Sequence, residues 1–184
     1  MIFELEEINL TQIKFDERHE FYQCTFTEQD LKQMRFNDSL FDECTFKTCD
    51  LSNCTFTNSK IADSHFIDSK LLGINWTSAN RFDSNRYHGS ILNFCVFNNM
   101  KLNHLVFEKC SISEADFSDC NLKDASFCSS NLEGTNFNGA DLSKADFRLA
   151  QNYLINPLHT KITKARFSLP EAMELLKTFN IIIE

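Results

Sequence analysis

Residues 42–56 read DECTFKTCDLSNCTF and place a large apolar side chain at every fifth position. A period of five matches neither the 3.6 residues of a helical turn nor the two of a strand, so no single helix or strand could bury all of these side chains on one face. The chain must therefore change direction once in each repeat. The apolar residues here are Phe46, Leu51 and Phe56, and a cysteine stands two residues before each: Cys44, Cys49 and Cys54.

The five-residue period extends through most of the chain, and a repeat of this kind decides the fold. It runs in steps of five from Phe21 to Trp76, and after one extra residue it resumes from Phe82 to Phe147. All 26 positions hold a large apolar or aromatic residue. Four five-residue sides would close a coil of about 20 residues, and coils would stack through strand-like hydrogen bonds about 4.8 Å apart. The extra residue, within 77–81, is interpreted as a bulge.

When the 26 positions are assigned in order to four sides, similar residues lie above one another on each side, as a close-packed core requires. Two opposite sides are entirely aromatic, the side between them is entirely Leu or Ile, and the last is mixed. Side 1 collects Phe21, Phe41, Ile61, Phe82, Leu102, Leu122 and Leu142; side 2 collects Phe26, Phe46, Phe66, Tyr87, Phe107, Phe127 and Phe147. Side 3 collects Leu31, Leu51, Leu71, Leu92, Ile112 and Leu132; side 4 collects Phe36, Phe56, Trp76, Phe97, Phe117 and Phe137.

The prediction is an all-β solenoid, a quadrilateral β-helix of about seven coils at the ordinary strand spacing. It spans residues 1–149, and 150–184 form a separate C-terminal tail. Within the tail, SLPEAMELLK predicts a helix over about 169–178, with Ser168 and Glu171 as a capping box and Pro170 in the first turn. We expect this helix to cap the open end of the solenoid. A twofold pairing of two copies is also expected there, through Leu176, Phe179, Ile181 and Ile183.

The cysteines invite a chemical reading, but their spacing does not favour one. Zinc sites need thiolates that converge on one point, whereas Cys44, Cys49 and Cys54 fall on three successive sides of a coil. They are therefore predicted to be reduced, buried, small hydrophobic residues of the core. No histidine stands at a recognisable nucleophile spacing from a cysteine, and no glycine-rich phosphate loop is present. We expect no enzyme activity, no metal and no cofactor.

Charge and composition restrict the partners. With 26 acidic and 18 basic residues the formal net charge is −8, which argues against direct binding to nucleic acid or to an anionic membrane. The N-terminal MIFELEEINL has glutamates where a secretory signal has basic residues, and no apolar run reaches membrane-spanning length. A cytoplasmic protein that binds other proteins is the expectation.

The stretches ADFSDCNLKDASF (115–127) and ADLSKADF (140–147) closely match the A(D/N)LXX consensus, so the chain resembles the pentapeptide repeat family. The resemblance covers about residues 10–149 and implies a right-handed quadrilateral β-helix. It extends to the quinolone-resistance (Qnr) and gyrase-protecting immunity group, whose members end in a similar helix and dimerise there. That group implies a DNA-mimicking rod that binds DNA gyrase or topoisomerase IV and protects it from quinolones or a peptide toxin.

Two outward surfaces are candidate binding sites. The first is acidic and consists of Asp42, Glu43, Asp63, Asp83, Asp119 and Asp124. The second is an apolar patch of Leu72, Ile91, Phe94 and Val96, at positions where polar residues are expected. Bases are interspersed among the acids, and the multi-residue loops of the Qnr proteins of Gram-negative bacteria are missing. The alternative function is therefore a structural scaffold that binds an unrelated protein through the apolar patch.

Overall fold

The computed structural model describes residues 1–15, 17–179 and 181. The chain winds into a β-solenoid of about eight coils, one more than the sequence period predicted. The additional turn comes from both ends, because Ile2–Glu4 pairs with Glu20–Tyr22 and Asp146–Phe147 pairs with Arg166–Phe167. The all-β solenoid predicted from the repeat is confirmed.

The strands are short, and they pair in parallel between successive coils, usually 20 residues apart. One five-stranded sheet joins Ile2–Glu4, Glu20–Tyr22, Leu40–Asp42, Lys60–Ala62 and Arg81–Asp83 in that order and forms side 1. Another joins Val106–Glu108, Arg86–His88, His65–Ile67, Thr45–Lys47 and Thr25–Thr27 in that order and forms side 2. Isolated bridges such as Asp50↔Lys70 and Arg35↔Thr55 continue the pairing on sides 3 and 4. The strands are β1 Ile2–Glu4, β2 Glu20–Tyr22, β3 Thr25–Thr27, β4 Leu40–Asp42, β5 Thr45–Lys47, β6 Lys60–Ala62, β7 His65–Ile67, β8 Arg81–Asp83, β9 Arg86–His88, β10 Val106–Glu108, β11 Asp146–Phe147 and β12 Arg166–Phe167. The 3₁₀ helices are Leu10–Gln12, Trp76–Ser78 and Glu171–Phe179.

The extra residue between Trp76 and Phe82 is accommodated by the 3₁₀ turn Trp76–Ser78. Asn75 is the N-cap of this turn, and its side-chain oxygen accepts hydrogen bonds from the amide and the hydroxyl of Thr77, at 3.0 and 2.7 Å. Strands on either side of the turn pair 21 residues apart, with Lys60 opposite Arg81, and beyond it the spacing is again 20. The turn absorbs one residue and returns the chain to the same side.

The core is a column of stacked rings and aliphatic side chains enclosed by the four sides. On sides 2 and 4 the rings stack nearly in parallel from coil to coil: Phe97 and Phe117 have centroids 4.6 Å apart at 5°, and Phe107 and Phe127 lie 5.2 Å apart at 10°. The residues predicted for the core, Cys44, Phe46, Cys49, Leu51, Cys54 and Phe56, are all buried.

The small inner residues do more than fill space. The thiol of Cys44 donates to the backbone oxygen of Phe21 at 3.4 Å, and the hydroxyl of Ser130 donates to that of Phe107 at 3.1 Å. In both pairs the acceptor is the backbone oxygen of a central residue in the preceding coil. Serine at this position also accepts, as Ser69 does from the amide of Cys49 at 3.0 Å. The inner thiols and hydroxyls therefore satisfy carbonyl groups that point into the core.

The hydrogen-bond ladder is interrupted at one place on side 1. The sheet ends at β8, and no backbone hydrogen bond or bridge joins residues 80–84 to residues 100–104, all of which the structure describes. Pairing resumes one coil later at Lys101↔Asn121, and sides 2 to 4 are continuous at the same level. The inner positions here hold Met100 and Leu105, where most repeats have a small residue. We call this interruption the side 1 gap.

The C-terminal helix differs in detail from the prediction. It begins at Glu171, not about 169, and is a 3₁₀ helix, with the amide of Met173 bonded to the oxygen of Pro170 at 2.9 Å. The capping box does not form, because the hydroxyl of Ser168 instead accepts from the amide of Leu149 at 3.1 Å. Leu175 packs against the core. Met173 and Phe179 are exposed.

Candidate functional site

Four carboxylates from the acidic prediction lie together on side 1. Asp42 ends β4 and Asp83 ends β8, and the strand register places both in one column, separated by Ala62 of the coil between them. Glu43 and Asp63 follow at the adjoining corner, where each has a positive φ of 53° and 50°. These four residues, Asp42, Glu43, Asp63 and Asp83, are called the acidic cluster.

Like charges and partial burial perturb this cluster. Burial raises the pKa of the Asp42 carboxyl; Arg81 opposes that rise, and Asp63, Glu43 and Asp83 add to it. The guanidinium of Arg81 donates from Nε to Asp83 Oδ2 at 2.8 Å. The other oxygen of Asp83 is buried without a hydrogen-bond partner in the described part of the chain. Arg81 thus partly offsets the mutual repulsion of the four carboxylates.

The acidic cluster does not extend into a stripe along the rod. On the same strands a basic column stands one position before the central residue, with Lys60 opposite Arg81. Asp124 lies on side 1 but two coils beyond Asp83, and Asp119 lies at a corner of side 4, where its carboxylate fills the space next to Gly139. The structure therefore brings together four of the six predicted acidic residues and separates the other two.

The apolar residues predicted as a second surface lie on two adjacent coils. Leu72 belongs to one coil and Ile91, Phe94 and Val96 to the next, across sides 3 and 4. Phe94 is 61% exposed, and the other three are half-buried. Phe94 also has a φ of 62°, a conformation that bulky side chains rarely adopt. An aromatic ring is thus displayed at a corner where Asn, Asp or Gly would fit with less strain.

Comparison with known proteins identifies the family. Models described as "Pentapeptide repeats (9 copies)" and "Pentapeptide repeat region" match residues 21–65 and 80–156, together about two thirds of the chain. The chain belongs to the pentapeptide repeat family. No curated protein sequence matches it significantly.

Among solved structures, this pentapeptide repeat protein is similar to QnrB1, a plasmid-mediated fluoroquinolone resistance protein. A trypsin-treated form is 18% identical with a TM-score of 0.60, and the match covers 100% of this chain and 98% of that one. Full-length QnrB1 is 13% identical with a TM-score of 0.53, over 98% and 97% of the two chains. At these identities the likeness shows a shared fold.

Within this pentapeptide repeat protein, the described residues contain no group of three His, Cys, Asp or Glu side chains that could hold a metal. Burial raises the pKa of the Cys44, Cys54, Cys95 and Cys110 thiols to about 12, so these sulfurs are protonated and unreactive near neutral pH. None of the described helices combines the length and apolar character needed to span a bilayer. What the molecule offers a partner is its outer surface.

Proposed function

We propose that this protein binds a type II topoisomerase, DNA gyrase or topoisomerase IV, on the surface that otherwise receives DNA, and protects the enzyme from quinolones or a peptide toxin. The observation that carries the proposal is the acidic cluster, which stands on the outside of a regular rod with a closely packed core. The shared fold with QnrB1, whose name records fluoroquinolone resistance, supports it as an analogy at the level of the fold.

The charge density of the acidic cluster is compatible with DNA mimicry over a short length. Asp42 and Asp83 are two coils apart, which is about 10 Å at the strand spacing. B-form DNA carries about six phosphate charges in that length, at one per ~1.7 Å. The cluster presents four carboxylates there, and Lys60 and Arg81 beside them reduce the net charge. The electrostatic attraction of the cluster to the topoisomerase would therefore be weaker than that of DNA, and binding would also depend on the shape of the rod.

A supercoiling assay tests this function directly. Purified DNA gyrase is given relaxed plasmid and ciprofloxacin and is titrated with the protein; we expect drug-induced cleavage to fall while supercoiling persists. The quadruple variant Asp42→Asn, Glu43→Gln, Asp63→Asn, Asp83→Asn should lose at least tenfold in potency. Asp119→Asn with Asp124→Asn removes two charges outside the cluster and serves as the control. Unchanged cleavage and unchanged supercoiling at micromolar protein would exclude the proposal.

A scaffold function is the second candidate, favoured by the exposed ring of Phe94. Asparagine tolerates the left-handed conformation of this corner, so Phe94→Asn removes the ring with little strain on the backbone. If the protein is a scaffold, Phe94→Asn should no longer bind the partner protein, whereas the quadruple variant of the acidic cluster should still bind it. Under the topoisomerase function the two variants behave in the opposite way.

We also propose that two copies associate through the C-terminal end. Phe179 and Ile181 are 49% and 54% exposed, and Leu176 is half-buried. Ile183, also predicted for this interface, lies outside the described residues. Phe179→Asp should convert a dimer of twice the 21.4 kDa chain mass into a monomer in light scattering. If the variant keeps the mass of the unaltered protein, the contact lies elsewhere.

A further inference from the structure

A shallow groove on side 2 is lined by one arginine and one glutamate, together with two histidines and two half-buried aliphatic residues. It has a volume of about 190 Å³ and runs along the rod over the backbone of Phe66 and Tyr87, whose rings are buried in the core. The strand register defines its two walls. One wall is the column His65, Arg86, Val106, and the other is Ile67, His88, Glu108. Lys47 extends the second wall by one coil.

The arginine in this groove lacks the carboxylate partner that three other surface arginines have. Arg18 pairs with Glu20 at 2.7 Å, Arg81 with Asp83 at 2.8 Å and Arg148 with Asp146 at 2.6 Å, each with a carboxylate two residues away. Two residues after Arg86 stands His88, and two before it stands Ser84. None of the ion pairs among the described residues involves Arg86 or Lys47.

We propose that the groove binds a short acidic and apolar segment of a partner protein, with one of its carboxylates paired to Arg86. That carboxylate would accept hydrogen bonds from Arg86 as Asp83 does from Arg81 on the neighbouring side, although from outside the strand, because His88 stands where Asp83 does. Charged hydrogen bonds between a guanidinium and a carboxylate are among the stronger polar contacts, and this guanidinium has no protein acceptor to give up. The surface is separate from the acidic cluster and does not depend on topoisomerase binding.

Both the ends and the length of the groove favour a peptide over nucleic acid. Ile67 and Val106 offer apolar contacts on opposite walls, and a phosphate backbone has no apolar groups to make those contacts. Glu108 closes one end and would repel successive phosphates. The basic residues Lys47 and Arg86 lie only two coil steps apart, about 10 Å, in a protein whose net charge is −8.

The test uses an unlabelled hexapeptide, acetyl-Gly-Leu-Glu-Val-Gly-Ser-amide, titrated into ¹⁵N-labelled full-length protein at low salt. We expect the amide signals of 65–67, 86–88 and 106–108 to shift. Arg86→Glu should weaken binding at least tenfold, and so should replacing the peptide Glu by Gln. Arg35→Glu is the matched control, because Arg35 is an exposed arginine on the opposite side 4 that also has no ion pair among the described residues.

Three results would overturn the proposal. The first is the absence of shifts at millimolar peptide in a protein whose spectrum shows it to be folded. The second is an equal loss in Arg86→Glu and Arg35→Glu, which would indicate attraction to overall charge. The third is tighter binding of an oligothymidylate of eight nucleotides to the same amides, which would make the groove a nucleic-acid site.

Discussion

The thiol sulfur of Cys54 lies 2.9 Å from the backbone oxygen of Leu31, one coil earlier. The sulfur is buried, and the thiol is a hydrogen-bond donor to an oxygen that faces the core. That oxygen also accepts from the amide of Met34 at 3.1 Å, so removing the thiol costs only the net contribution of one hydrogen bond, about 0.5–1.5 kcal/mol. We therefore expect Cys54→Ala to lower the free energy of unfolding by about that amount, and Cys54→Ser, which keeps a donor, to lower it less.

Urea unfolding measures this difference, and Cys128→Ala is the control because Cys128 is half-buried outside the inner positions. Equal losses for Cys54→Ala and Cys54→Ser would show that the thiol acts only by filling space.

Two aspartates should respond to pH in opposite directions. The folded-state pKa of Asp42 is raised by burial, so its ionised form is disfavoured in the folded protein. Asp42→Asn should therefore raise stability at pH 7 by about 0.5 kcal/mol, and the gain should shrink as the pH falls through the raised folded-state pKa and vanish below the ordinary aspartate pKa.

Asp146 behaves in the other way. Hydrogen bonds from the Arg148 side chain hold the pKa of this carboxyl below its usual range. Asp146→Asn should lower stability at pH 7 by about 1 kcal/mol. The loss should shrink as the pH falls from the ordinary aspartate pKa through the depressed folded-state value, because both forms are then neutral. Urea unfolding at pH 7, 5 and 3 checks both variants; the same sign of change in both at pH 7 would contradict this account.

The side 1 gap should exchange its amide hydrogens early. Among the described residues, the amides of Ser84 and Lys101 face the gap without backbone hydrogen bonds, whereas those of Asp63 and Asn121 donate to the adjacent coil. Hydrogen exchange followed by NMR should show the first two amides exchanging at least tenfold faster than the second two. Met100→Ser with Leu105→Ser, which places a small residue at both inner positions, should slow exchange in the gap if their bulk causes it. Equal protection of all four amides would mean that the coils close in solution.

Gly139 and Asp119 should show a coupled effect. Gly139 has a φ of 74°, and an added Cβ would collide with Oδ1 of Asp119 in the preceding coil. Gly139→Ala should thus destabilise the protein by about 1–2 kcal/mol from the left-handed backbone alone, plus the collision. Adding Asp119→Ser should restore only the collision part, which thermal unfolding of the single and double variants can measure. If the two changes are strictly additive, the carboxylate does not occupy that space.

Much of the fold could be predicted because the inward direction of each fifth residue depends on local turn geometry alone. The burial of Phe46, Leu51 and Phe56 follows from the period. The form of the C-terminal helix could not be predicted in this way. The hydroxyl of Ser168 was expected to cap the helix, but it is taken by the amide of Leu149, nineteen residues earlier, and that contact exists only once the last coil has closed.

The sequence by itself determined the four sides, the stacked core and the inner cysteines, since these need only a period and a residue size at each position. Only the tertiary structure decided that Asp42 and Asp83 share a column while Asp119 stands apart, that Arg86 lacks the carboxylate given to Arg81, and that side 1 has a gap. The physical reason is that these relationships join residues about 20 apart. Their register depends on how the turn at Trp76–Ser78 absorbs its extra residue.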